Sequence, residues 1–263
     1  SMITLLKLGG SLITDKTKKS TFRRDVAQTI AREIVTYYQS TQDDNLIIGH
    51  GSGSFGHFAA EQYDTINGVK TANDWLGFTE VASAAAQLNY LMSEVLINEK
   101  LPIMRIQPSA SAQCNDGNIV KMPLHTIEKL ITHRIVPVVY GDVAIDSVRG
   151  GTIISTETIF KYLSRKLNVH RILLVGEVEG VIDHQNKVIS KITPGSLKEF
   201  SKVLRGSDGT DVTGGMLTKV QDMVDLIKVN PKLHIQIIDG RDPQVLQFAL
   251  TGQKQVGTLI IAN

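Results

Sequence analysis

Nine consecutive residues, Gly49-His50-Gly51-Ser52-Gly53-Ser54-Phe55-Gly56-His57, place four glycines and a closing histidine directly after the apolar run Leu46-Ile47-Ile48. Glycine lets the backbone take positive φ and bring its N–H groups close to a ligand, and a helix starting just beyond would aim its positive end at the same place. Phosphate is the natural guest for such a turn, and His57 can offer it a ring N–H. The same residues also describe a plain surface turn ending in a solvated histidine.

Three lysines recur beside turns of this kind. Lys7 ends the apolar run Ile3-Thr4-Leu5-Leu6 and is followed by Leu8 and the turn Gly9-Gly10-Ser11; Lys16 follows in the polar loop Asp15-Lys16-Thr17-Lys18-Lys19. A lysine in an apolar strand needs an anion or water for its ammonium, so Lys7 either faces a ligand or snorkels at an edge. Lys219 falls one turn inside a helix that opens after the glycine-rich stretch 206–215. It opposes that helix's own positive end, a mildly unfavourable placement unless an anion binds there or the side chain points into water.

This inventory suits phosphoryl transfer, which depends on positioning and charge neutralisation more than on covalent help from the protein. Other chemistries lack their parts. No Gly-x-x-x-x-Gly-Lys-Ser/Thr occurs, which excludes a P-loop. Residues 51–56 match the spacing of the dinucleotide fingerprint, but 57–74 hold no β-like apolar run leading to an acidic residue, so a nicotinamide-binding domain is not expected. There is no Ser/His/Asp triad pattern, no metal-ligand cluster, and one cysteine, Cys114, which reads as a packed residue in a reducing compartment.

The elements that must position these residues alternate. Strands are expected at 3–8, 46–48, 102–106, 136–140, 171–175, 234–238 and 258–261, with a hairpin within 109–120. Helices are expected at 22–38, 71–100 (one long helix or two broken by Gly77), 123–133, 153–167, 194–204, 216–229 and 243–250, with Ser155 or Thr156 capping the fourth and Glu157 in its first turn. Residues 146–152 read as turns. The stripe Trp75, Phe78, Val81, Ala82, Ala85, Leu88, Met92 and Val95 is either core or, in its N-terminal half, the wall of an apolar pocket. Such alternation predicts one α/β domain spanning 1–263, a three-layer αβα sandwich with a mainly parallel central sheet and the glycine turns at its C-terminal edge.

With 263 residues, 42% hydrophobic content and a net charge of +2, the chain can bury a large core and carries no long basic or acidic block. Neither nucleic acid nor membrane is expected as a partner, and the single cysteine fits a cytoplasmic location.

The motifs Lys7-Leu8-Gly9-Gly10-Ser11, Asp15-Lys16, Ser54-Phe55-Gly56-His57, Tyr140-Gly141-Asp142 and Thr213-Gly214-Gly215-Met216 with Lys219 resemble, over essentially the whole chain, the amino acid kinase superfamily and within it the isopentenyl phosphate kinases. The resemblance implies ATP-dependent conversion of isopentenyl phosphate to isopentenyl diphosphate, with Mg²⁺ accompanying ATP, no protein metal site, and a homodimer. It implies Lys7, Lys16 and His57 as catalytic residues. It implies a nucleotide set of Lys7, Gly9, Gly10, Ser11, Gly53, Gly176, Gly180, Gly214, Gly215 and Lys219, with the amides of Gly9, Gly10 and Gly53 on phosphate oxygens. Ser52, Gly53, His57 and Gly141 would bind the acceptor, whose part of the chain would be about 1–170, leaving about 171–263 to the nucleotide. Two departures stand out: Ser155-Thr156-Glu157 where many relatives show Ser-Gly-Asp, and Gly176-Glu177 where relatives often have Thr-Asp. A fosfomycin-kinase-like enzyme and a non-catalytic phosphate or nucleotide sensor are the alternatives.

Overall fold

In the computed structural model, the described residues are 2–204 and 215–263. Strand β1, Met2–Leu8, runs near the middle of an eight-stranded sheet, where Leu5, Leu6 and Leu8 are fully buried. The chain then passes through the short turn of helix α1, Gly10–Ile13, to α2, Arg24–Ser40, whose Ala27, Ile30, Ala31 and Ile34 recur at helical spacing and face the sheet. β2, Asp44–His50, pairs in parallel with β1 and is buried at every position, as befits a strand covered on both faces.

After β2 come α3, His57–Tyr63, and α4, Ala72–Asn98, the latter opened by a reciprocal Thr71/Asp74 capping box. α4 runs unbroken through Gly77, where the missing side chain makes room for the Tyr63 ring: a Cβ there would lie 2.2 Å from Tyr63 Cγ. β3, Ile103–Arg105, is an edge strand, and β4, Gln113–Asn115, with β5, Asn118–Lys121, forms the expected hairpin around Asp116-Gly117, both at positive φ. Helix α5, His125–Thr132, leads to β6, Val136–Tyr140, which is wholly buried.

Here the structure differs from the sequence expectation. Residues 142–154 form two further strands, β7, Asp142–Asp146, and β8, Gly150–Ile154, and the next helix, α6, Thr156–Lys166, begins three residues later than expected. β7 and β8 join the β4–β5 hairpin in a separate four-stranded sheet, order β5-β4-β7-β8. Asp146 holds its hairpin turn and its neighbour together by accepting four backbone N–H groups, from Asp116, Gly117, Val148 and Arg149, at 2.7–3.0 Å.

The remainder follows the expected order, β9, Val169–Gly176; α7, Pro194–Leu204; α8, Met216–Val229; β11, His234–Asp239; α9, Pro243–Thr251; and β12, Thr258–Ile260, with one unexpected two-residue edge strand, β10, Lys191–Ile192, before α7. The large sheet runs β10-β12-β11-β9-β1-β2-β6-β3 and is parallel except where β12 meets β11. One face is covered by α2, α4 and α9 and the other by α5, α6 and α8, each with its own apolar cluster. The glycine stretch at 206–214 lies outside the described residues. No helix among the described residues is long and apolar enough to cross a membrane.

Candidate active site

Two parallel neighbours, β1 and β2, end side by side, so the turns that follow them meet backbone to backbone. A Cβ on Gly10 would lie 2.7 Å from the Gly53 Cα, and one on Gly53, which sits at φ +50°, would lie 2.6 Å from the Gly10 carbonyl oxygen. Only glycine fits either position. Thr14 fastens the pair: its Oγ1 donates to the Gly10 carbonyl at 2.6 Å and accepts the Ser54 N–H at 3.1 Å. Among the described residues no acceptor meets the amides of Gly10, Ser11, Ser52 or Gly53, a cluster of four unpaired donors at one sheet edge.

Among the described residues, two adjoining cavities open on this edge. The first, about 290 Å³, is lined by Lys7, Gly10, Lys16, Ser52, Gly53, His57 and Gly141, with an apolar side made of Ala60, Val81, Ala85, Ile153 and Ile154. The second, about 340 Å³, is lined by Gly9, Ser11, Gly176, Glu177, Gly215, Met216 and Lys219. Lys7, Gly10 and Lys16 line both, so the cavities adjoin at two lysines and a glycine. Within the stripe on α4, Val81 and Ala85 wall the first cavity, while Leu88, Met92 and Val95 are core.

Several expected site residues are placed differently. The Gly9 N–H donates to the Val175 carbonyl at 2.9 Å and the Gly141 N–H to the His50 carbonyl at 3.0 Å, so both amides are consumed in holding the sheet edge. Gly9 therefore does not supply the phosphate amide expected of it. Gly53 lines the first cavity and not the second. Gly180 lines neither of these two, and a Cβ there would lie 2.7 Å from Thr258 Oγ1 and 2.8 Å from Val188, so close packing leaves no room for a side chain. Gly214 lies outside the described residues. His57 begins α3 with its side chain 60% exposed and its Nε2 3.5 Å from Glu61.

Glu157 was expected only as a helix-end charge, and the fold gives it a larger part. Capped by Ser155, whose Oγ accepts the Thr158 N–H at 3.1 Å, helix α6 aims its first turn at the place where the cavities adjoin. There the Glu157 carboxylate pairs with Lys7 and lies 4.0 Å from the Lys219 ammonium. Burial alone would raise the Glu157 pKa, but Lys7, by charge and hydrogen bond, and then Lys219 outweigh it and hold the carboxyl below its ordinary value. Lys219 is pushed the other way, below the usual lysine range, by burial and then by repulsion from Lys7 and Lys16, against the attraction of Glu157. Lys7 and Lys219 share one carboxylate while Lys16 adds a third, repelling charge, so the site is short of negative charge. An arriving phosphate relieves that strain. The signal that could have found Glu157 was its retention of an acidic group where the helix begins; its reach to Lys7, 150 residues away, was not visible.

Unpaired amides and converging lysines between two adjoining cavities define a phosphoryl-transfer enzyme of the α/β class. Residues 2–237 match the amino acid kinase family, and the chain belongs to that family. Among its relatives, the isopentenyl phosphate kinase of Methanocaldococcus jannaschii is 33% identical over 258 residues, 96% of each chain. The isopentenyl phosphate kinase of Methanothermobacter thermautotrophicus is 32% identical over 97% of this chain and 98% of its own. A crystal structure of an isopentenyl phosphate kinase superposes with a TM-score of 0.82 at 29% identity, covering 98% of this chain and 99% of that one.

Proposed function

We propose that this chain transfers the γ-phosphoryl group of ATP to isopentenyl phosphate, giving isopentenyl diphosphate. The observation that carries the reading is the junction of the two cavities at Lys7, Gly10 and Lys16, one cavity with a small apolar side, the other rimmed by Lys219 and glycines. A five-carbon tail suits the wall of Ala60, Val81 and Ala85, with the acceptor phosphate at Ser52, Gly53 and His57. The nucleotide phosphates then lie against Lys7, Ser11 and Lys219, and Lys16 meets the phosphoryl group in transit.

Two phosphates brought to bonding distance repel strongly, and the lysines and amides between them offset that repulsion. No general base is needed, because a phosphate monoester is already mostly ionised near neutral pH. The two carboxylates at the first cavity are otherwise engaged: Glu157 with the lysines, and Asp142 in accepting the Ser109 and Val143 amides at 2.9 and 2.8 Å. Mg²⁺ would travel on the phosphate oxygens of ATP. No three His, Cys, Asp or Glu side chains cluster as a metal cage among the described residues, and an ion that keeps its waters and phosphate ligands requires none.

The first cavity draws its lining from Lys7 to Glu157 and the second, beyond Lys7–Lys16, from Leu174 to Ile237, which supports an acceptor half and a nucleotide half sharing one sheet. The test is ATP consumption with isopentenyl phosphate, dimethylallyl phosphate, fosfomycin, uridylate and acetylglutamate in parallel, on the wild type and on His57→Ala. Turnover of isopentenyl phosphate, with its KM raised by the substitution, is the expected result. Turnover of fosfomycin alone would transfer the site to a phosphonate acceptor, and no turnover at all would favour a sensor. The homodimer implied by the family is tested by sedimentation.

A further inference from the structure

His50 precedes the acceptor turn and touches neither cavity, yet its side chain is completely buried at the end of β2. Its ring stacks on Tyr140, the residue opposite it on β6, with centroids 5.7 Å apart and planes 9° from parallel. Nδ1 lies 2.8 Å from the Gly51 carbonyl oxygen, and Nε2 lies 3.0 Å from the side-chain nitrogen of Asn89 on α4. A carbonyl oxygen can only accept, so Nδ1 carries the proton and Nε2 must accept from the Asn89 amide. The two contacts select one tautomer. The backbone is held as well, since the His50 carbonyl accepts from Thr156 Oγ1 at 2.7 Å and from the Gly141 N–H at 3.0 Å.

In a planar trans peptide the carbonyl of one residue and the N–H of the next point in opposite directions, and no cis peptide occurs among the described residues. Tying the Gly51 carbonyl to the buried ring therefore turns the Ser52 N–H away from the core, toward the cavity that Gly51, Ser52 and Gly53 line. We infer that His50, set in its tautomer by Asn89, is a positioning residue that fixes the Gly51–Ser52 peptide so that its N–H meets the acceptor phosphate. A glycine-rich turn needs such a device, because the freedom that lets its amides approach an anion also lets its peptides flip. Burial keeps the ring neutral, with its pKa pushed down to about 4, so the hydrogen-bond pattern persists across the working pH range. The inference rests on reading the first cavity as the acceptor phosphate site.

Two substitutions separate the roles of the ring nitrogens. The amide nitrogen of His50→Asn falls near the position of Nδ1 and can still donate to the Gly51 carbonyl, while that of His50→Gln falls near Nε2 and cannot. With isopentenyl phosphate and ATP varied in turn, His50→Gln is expected to raise the acceptor KM about ten- to a hundredfold, the value of one hydrogen bond to a charged group, while leaving the ATP KM within about twofold. His50→Asn is expected to keep the acceptor KM within about threefold of the wild type. Equal losses in both variants, or no change in either, would overturn the inference. Should the wild type turn over no acceptor, titration with inorganic phosphate makes the same comparison, so that the proposed reaction fails separately from this inference. Should the variants not fold, the ¹⁵N spectrum of histidine-labelled wild type decides: a proton on Nδ1 of His50 is expected, and one on Nε2 refutes the assignment.

Discussion

Lowering the pH from 7 to 5 is expected to cost the folded protein about 2 kcal/mol through His50 alone, by the linkage between protonation and folding. Burial, with a smaller contribution from Lys7, drives its folded pKa from 6.5 down to about 4, against the opposing bond to Gly51. The unfolded chain therefore binds a proton between these values that the folded chain refuses. A group whose pKa is depressed by folding contributes its stability above the unfolded value and loses it as pH falls, and here the loss saturates below pH 4 at roughly 3 kcal/mol. Buried carboxylates held low, such as Glu157 and Asp146, lose their contribution only as pH approaches the ordinary carboxylate range, below this window. His170, also pushed down by burial, adds a loss of the same sign. Urea unfolding of the wild type and of His50→Gln at both pH values separates the two, because the His170 contribution is common to both proteins. The wild type should lose about 2 kcal/mol more than the variant between pH 7 and 5. An equal loss in the two proteins would refute the assignment of a neutral, proton-refusing His50.

Three further outcomes are expected. Lys16→Met should lower kcat by about a hundredfold or more while leaving the melting temperature unchanged, since Lys16 is exposed and its proposed partner is the moving phosphoryl group; turnover at the wild-type rate would remove it from the mechanism. Glu157→Gln should leave Lys7 and Lys219 without their shared carboxylate and reduce kcat/KM for ATP more than for the acceptor, which steady-state kinetics would show. Asp44→Ala breaks a buried network at the opposite edge of the sheet, where Asp44 accepts from Thr4, Tyr37 and Arg171 at 2.6–2.9 Å. Chemical denaturation should register a loss of about 3–5 kcal/mol, with the remaining folded enzyme retaining its KM values.

Much of the chain is legible in the sequence. The glycine-rich turn before it placed α8 at 216–229 to the residue, Ser155 is the cap of the two candidates Ser155 and Thr156, and glycines after apolar runs marked the turns that line the two cavities. These features are local: propensity, capping and turn chemistry act over a few residues and are written where they act. The second sheet escaped notice because β7 and β8 are five residues each, and Ile153-Ile154 serve equally well as the start of a helix or the end of a strand. Their pairing with the hairpin at 113–121 settled the choice. The roles of single groups were decided by distant partners in the same way. Gly9 spends its N–H on Val175, Gly180 packs on Thr258, Glu157 reaches Lys7, and His50 meets Asn89. The sequence by itself determined which residue types stand at the turns and which segments coil or extend. Only the tertiary structure decided which of those amides and charges remain for a ligand, because each is claimed or left free by groups scores of residues away.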